Sequence, residues 1–170
     1  LIEIVNDQQP QPEFVKYFEP LLSLEPPLLP DQTKALGSYV RFFSSVAENF
    51  ENSVISNFFA KISEFALSPM IKEETRIILS FSLLGFIRKC NEIDFDNSLI
   101  FMFVQTFDPN LIQIAALLIS RLNENQYFEV FESCVTHLFE KLEQDSDLCP
   151  LVLNFIKAME YVEGSPHISI

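Results

Sequence analysis

Four prolines organise this chain. Pro30, Pro69, Pro109 and Pro150 stand 39, 40 and 41 residues apart, and a run of apolar residues at helical spacing follows each. Proline is tolerated in the first turn of a helix, where its missing N–H has no partner to lose, and is excluded from the interior. A proline recurring at this interval therefore predicts one helix start after another. The clearest unit spans Pro69 to Phe107: PMIKEETRIILSFSLLGFIRKC, a short acidic link, then SLIFMFVQTF. It reads as a long helix, a turn and a shorter helix.

The other units follow the same plan. After Pro30, the residues Leu36, Tyr39, Val40, Phe43, Val46 and Ala47 build an apolar face. Beyond a turn at Asn49 to Asn52, a second face comes from Val54, Ile55, Phe58, Phe59, Ile62 and Phe65, with Asn52 or Ser53 as the expected cap. In the next unit Ile77, Ile78, Leu79, Phe81, Leu83, Leu84, Phe86 and Ile87 make a helix apolar nearly all round. That predicts burial on more than one side, with Lys72, Glu73, Glu74 and Arg76 keeping the first turns in water. Asp94, Asp96 or Asn97 caps the helix that follows.

The third unit pairs Pro109 to Leu122 with Gln126 to Leu142. Asp108 is placed to cap the first of these, whose inward residues are Leu111, Ile112, Ala115, Leu118, Ile119 and Leu122. Phe128, Phe131, Val135, Leu138, Phe139 and Leu142 form the opposing face. A fourth unit opens at Pro150 with Leu151, Val152, Phe155, Ile156, Met159 and Tyr161. Upstream, Phe14, Tyr17, Phe18, Leu21 and Leu22 share helical spacing that Pro20 should kink. The expected organisation is a lead-in with a proline-rich link over 1–29, a helical repeat domain over 30–163 with repeats starting near 30, 69, 109 and 150, and a tail over 164–170.

Paired helices recurring every 39 to 41 residues resemble HEAT and armadillo-type repeats, whose period is about 40–47 residues. The resemblance covers Asp31 to about Tyr161 and rests on the four prolines and the faces above. It implies an all-α fold of antiparallel helix pairs stacked as a short α-α superhelix. The Asp and basic residue that HEAT repeats often carry near the inner turn are missing or displaced. The short extra first helix and glycine turn of many armadillo repeats are lacking, so the family within the superfamily stays open. An irregular helical bundle is the alternative. The acidity is similar to that of nuclear transport receptors, which bind basic cargo or a small GTPase; phosphatase regulatory subunits and vesicle-coat adaptors also use such stacks.

Composition narrows the function classes. Apolar residues make up 48% of 170, more than a disordered chain carries. Glycine occurs 3 times, too few for a glycine-rich nucleotide loop or a turn-rich all-β fold. Against 11 Lys and Arg stand 24 Asp and Glu, a net charge of -13. Phosphate contacts need clustered cations, so direct nucleic-acid binding and anionic membrane surfaces are disfavoured. A basic protein partner suits the charge. The longest uncharged runs are about a dozen residues, short of the ~20 needed to span a membrane. The three cysteines, Cys90, Cys134 and Cys149, have neither zinc nor disulfide spacing. A cytoplasmic or nuclear location is expected. The chain opens on Leu1, which leads us to expect a piece of a longer protein.

The search for chemistry finds little. His167 falls in the expected tail. His137 has Cys134 three residues before it and Glu140 three after, so a Cys–His pair can be drawn on one helical flank. Cys134 instead borders the apolar face of Phe131, Val135 and Leu138, which leaves His137 and Glu140 on the wet side. Asp94 and Asp96 do not continue into a calcium loop with its central Gly and final Glu. We expect no catalytic residues, no metal site and no cofactor. Glu92, Asp94 and Asp96, with Glu140, Glu143, Asp145 and Asp147, are the candidate acidic rim for a basic partner. Phe42, Phe50, Phe95 and Phe101 exceed one helix face or lie near turns, and are candidate groove residues. The expected function is a non-enzymatic protein-interaction scaffold or adaptor segment, contacting a partner or the rest of a longer parent chain. The alternative is a regulatory or structural helical domain of a larger enzyme, with its chemistry elsewhere.

Overall fold

A computed structural model describes residues 11–90 and 92–160. All the regular structure among them is helical. The chain forms two compact units, Leu1–Phe95 and Asp96–Ile170. The expected face residue Tyr161, the expected tail with His167, and residues 1–10 of the expected lead-in lie outside the described residues.

The first unit opens with two short 3-10 segments, Pro12–Tyr17 and Glu19–Ser23, where an α-helix kinked at Pro20 was expected. Pro20 lies in the first turn of the second segment, a position that needs no N–H. Three α-helices follow: α1 (Pro30–Val46), α2 (Asn52–Leu67) and α3 (Glu73–Lys89). Pro30 is the first residue of α1, as its chemistry requires. Leu29, the residue before it, has no side-chain acceptor; its own N–H donates to Gln32 Oε1 at 2.8 Å. Asn49 Nδ2 donates to the Val46 carbonyl at 3.0 Å, satisfying one orphan acceptor at the other end. Neither Asn52 nor Ser53 caps α2; Glu51 precedes that helix without a side-chain hydrogen bond. Pro69 does not open α3. It lies in an exposed turn, and Lys72 is the residue before the helix.

Aromatic rings fill the core of this unit. Phe43 and Phe58 stack with centroids 3.9 Å apart, and Tyr39 meets Phe58 edge-on at 5.2 Å. Phe86 of α3 closes on Phe58 at 5.5 Å and on Phe43 at 6.1 Å. α1 and α3 approach each other through small residues. Thr33 and Thr75 share a buried hydroxyl–hydroxyl hydrogen bond of 3.3 Å. A Cβ on Gly37 would stand 3.1 Å from Ile78 Cγ2 and 3.3 Å from Ser82 Oγ. Contacts thus advance along both helices together, so α1 and α3 run parallel. α2 runs against α3, and its final carbonyls are held by Arg76. Arg76 Nε donates to Ala66 O at 3.0 Å and Nη2 to Ser68 O at 3.2 Å. Arg76 is therefore half-buried and structural, not part of a wet first turn.

Burial, with the Glu19 carboxylate second, pushes the Tyr39 phenol up to about 12. An unfolded tyrosine ionises near pH 10. The folded state holds the protonated phenol more tightly, so this stability is intact below pH 10 and is lost as pH rises towards 12. Tyr39→Phe is expected to flatten the loss of stability over that window. Urea midpoints taken at intervals from pH 9 to pH 12 check it; an unchanged slope in the variant counts against the assignment.

The second unit contains α4 (Asn97–Gln105), α5 (Pro109–Ile119), α6 (Glu124–Gln144) and α7 (Cys149–Glu160). Three starts are capped by side chains, each accepting from backbone N–H groups of the first turn. Asp96 accepts from Ser98 N at 2.7 Å, and Asn123 Oδ1 from Gln126 N at 3.1 Å. Asp108, buried, accepts from Asn110 N at 2.9 Å and Leu111 N at 3.0 Å. Between α4 and α5, Phe107 takes φ of 56°, a left-handed conformation that reverses the chain and costs a non-glycine residue about 1–2 kcal/mol. Asp108→Ala is expected to destabilise this unit by about 1–2 kcal/mol, and Asp108→Asn by much less, since the amide oxygen still accepts. Thermal denaturation of both variants checks this; equal losses would mean the carboxylate charge, not the cap bond, matters.

The helix buried all round is α5. Leu111, Ile112, Ile114, Ala115, Ala116, Leu118 and Ile119 are fully buried, because α4, α6 and α7 all pack on α5. α3 packs against both α1 and α2, so it is buried on more than one side as expected, and it keeps an open stripe. The inward face of α6 is also shifted from the one expected. Tyr127, Cys134 and Leu138 are its buried residues, while Phe128 and Phe139 are exposed. Phe131 stacks on Phe155 of α7 at 6.3 Å.

Candidate functional site

The seven residues of the candidate acidic rim are all exposed. Glu92 and Asp94 belong to the first unit, where the Asp94 N–H is bound to Ser56 Oγ at 2.8 Å. Asp96, Glu140, Glu143, Asp145 and Asp147 belong to the second. Asp96 is the cap of α4, and its bonds from Ser98 hold its carboxyl below the usual range. Asp145 accepts from Asp147 N at 3.0 Å in the turn after α6. Two of the seven carboxylates thus organise local turns, and the others extend into solvent.

The Cys134 and His137 flank is arranged differently from the sequence expectation. Cys134 is buried, and burial pushes its thiol up to about 11. A nucleophilic thiolate needs the opposite shift. His137 is not on the wet side. Its ring lies 5.1 Å from Phe101 and 6.0 Å from Phe107, and its Nε2 is buried without a hydrogen-bond partner among the described residues. The imidazole acts as part of an aromatic cluster, and the four residues from Cys134 to His137 form no nucleophile–base bond through Nε2. Glu140 is exposed as expected. Among the described residues no group of three or more His, Cys, Asp or Glu could hold a metal ion. Among the same residues no helix is long and apolar enough to cross a membrane.

The surface that does converge lies along α3. Ile77 is 49% exposed, Ile78 37% and Phe81 64%. Ile77, Phe81, Gly85 and Arg88 succeed one another at helical spacing, so they form one stripe about 16 Å long. At Gly85 a Cβ would meet nothing within 4 Å, so the helix surface is dimpled there. Beside it a groove of 240 Å³ runs between α1 and α3, with Phe81 and Leu84 on its apolar side and Arg41, Arg88 and Lys89 as its charged residues. A larger cleft of 580 Å³ adjoins it, sharing Ser44 and Lys89 and carrying Glu48 and Glu92.

This stripe was missed because a helix apolar on all sides carries no directional signal. The signal available was the 77, 81, 85, 88 register ending in basic residues. The expected groove residues Phe42, Phe50, Phe95 and Phe101 are each half-buried instead. Phe42 leans on Phe18 at 5.6 Å, and Phe50 stacks on Phe43 at 5.2 Å. No protein-family model, curated protein sequence or solved structure matches this chain.

Proposed function

We propose that this chain is a non-enzymatic interaction segment built from helical repeats of the HEAT or armadillo kind, which binds protein partners through its helical surfaces. The observation that carries the reading is the parallel contact of α1 with α3. Thr33 meets Thr75, and Gly37 faces Ile78 and Ser82, pairs separated by about one period of the proline spacing. A repeat stack brings equivalent helices side by side in this way, with the intervening helix returning antiparallel. Phe101 of α4 against His137 of α6 extends the same alternate-helix pattern to the second unit. The exposed acidic residues, above all Glu140, Glu143, Asp145 and Asp147 around one turn, suit a basic partner.

The test is partner capture from native extract with the 170-residue chain, at low and high salt, followed by cross-linking and mass spectrometry. The expected result is a specific partner whose cross-links fall on this chain's helical surfaces. A basic partner lost at high salt and linked near Glu92 to Asp96 or Glu140 to Asp147 would assign the acidic edge. Recovery of nothing specific, or links only to a parent chain, would overturn the reading in favour of an internal structural domain.

A further inference from the structure

We infer that the groove between α1 and α3 is a docking site for an acidic amphipathic helix of a partner protein. This rests on the interaction-segment reading and assigns it a second, oppositely charged surface. Three features meet in one place. Ile77 and Phe81, with Ile78 beside them, leave large apolar area in water on a helix whose other large apolar residues are buried. Gly85 opens a dimple one turn further on, where a partner's apolar side chain can approach the α3 backbone. Arg41, Arg88 and Lys89 supply three of the chain's 11 cations to this groove, and no acidic side chain among the described residues lines it.

That charge distribution decides the occupant. A chain of net charge -13 repels acidic partners at a distance. Within about 8–10 Å, however, local charges dominate at physiological salt. A partner carboxylate placed beside Arg41 and Lys89 is attracted, and the aromatic face of Phe81 takes the neighbouring apolar residue. The stripe from Ile77 to Arg88 spans about three turns of α3, so the matching partner is a helix of about three to four turns. It presents two or three large apolar side chains at i, i+3 or i+4 spacing and carboxylates at one end. The adjoining cleft, with Glu48 and Glu92, disfavours a carboxylate there and so sets the partner's direction.

The experiment uses the 170-residue chain and a displayed library of random peptides roughly 16 residues long. Peptides are selected on the native protein and counter-selected on an Arg41→Glu/Lys89→Glu variant. The expected winners are net acidic, carry apolar residues at helical spacing, and shift the amide resonances of Phe81 and Gly85. Their affinity falls about tenfold or more on Phe81→Ala, on the charge-reversed variant, and when peptide carboxylates are replaced by amides. Circular dichroism matched to the native protein keeps both variants interpretable, since each changed side chain is exposed. The inference is overturned if no peptide survives counter-selection, or if winners are basic or indifferent to Phe81→Ala. Sedimentation showing a dimer that Phe81→Ala dissolves would also overturn it, making a second copy the occupant. A partner captured on the acidic edge alongside a failed selection would leave the interaction-segment reading standing and remove this one.

Discussion

Phe43→Ala is expected to be the most damaging single truncation in the first unit. Phe43 is 1% exposed and touches four other rings: Phe58 at 3.9 Å, Phe50 at 5.2 Å, Phe86 at 6.1 Å and Tyr39 at 6.3 Å. It therefore joins α1, α2, α3 and the turn after α1 in one packed cluster. Removing a buried phenyl ring costs about 3–5 kcal/mol through lost transfer energy and the cavity left behind. Lost ring–ring contacts add about 0.5–1.5 kcal/mol. Denaturant unfolding at constant temperature, followed by circular dichroism, measures the change. A loss under about 1 kcal/mol would show that the rings collapse onto one another and that Phe43 is not the hub.

Gly37→Leu should rank second, for the opposite reason. At Gly37 the backbones of α1 and α3 come close, and even a Cβ would sit 3.1 Å from Ile78 Cγ2. A leucine there forces the two helices apart or drives Ile78 and Ser82 from their positions, an overpacking cost of about 2–3 kcal/mol. Gly37→Ala tests the same contact gently. The helix gains about 1 kcal/mol from replacing glycine, which offsets the crowding, so the net change is expected within about 1 kcal/mol of zero. Truncating the neighbour, as in Gly37→Leu/Ile78→Ala, should recover part of the loss. A leucine variant as stable as the native chain would mean the helices part freely, which would remove the close α1–α3 contact as a specifying feature. All three variants are read from the same denaturant titrations.

Much of the architecture was legible in the residues. Pro30 and Pro109 do begin helices, because a first-turn proline costs no hydrogen bond. Asp96 and Asp108 cap where expected, because a carboxylate just before an apolar run has orphan N–H groups to accept from. Pro69 failed as a marker. Its turn holds the buried Ile71 and continues for three residues before α3 starts, and a proline fits a turn as readily as a first helical turn. The segment around Pro20 failed similarly, since short apolar spacing does not separate an α-helix from 3-10 turns.

The candidate site was less legible. The acidic residues could be named from the sequence because charge is a local property. The groove beside Phe81 could not, because its existence depends on which neighbours α3 has. Apolar residues nearly all round predict burial on more than one side without saying which side stays open, and it is the flank at Ile77 and Phe81 that α1 and α2 leave uncovered. On α6 Leu138 faces inward as expected, and the rest of the buried face is displaced by one position. Tyr127, Cys134 and Leu138 turn inward, and Phe128 and Phe139 turn outward, because a cysteine and a tyrosine fill that seam as well as phenylalanine would. His137 likewise had the local look of a solvated residue, and only packing against Phe101 and Phe107 places its ring among aromatics.

By itself, then, the sequence determined the helical class, most helix starts and the caps at Asp96 and Asp108, all of which depend on interactions within a few residues. Tertiary structure decided which stripe of each helix is inside and that α5 rather than α3 is enclosed. It also decided that Gly37 is a contact point and that Arg41, Arg88 and Lys89 share a groove with Phe81. Those outcomes depend on which helices become neighbours, and residues some 40 positions apart in the chain carry no local record of meeting.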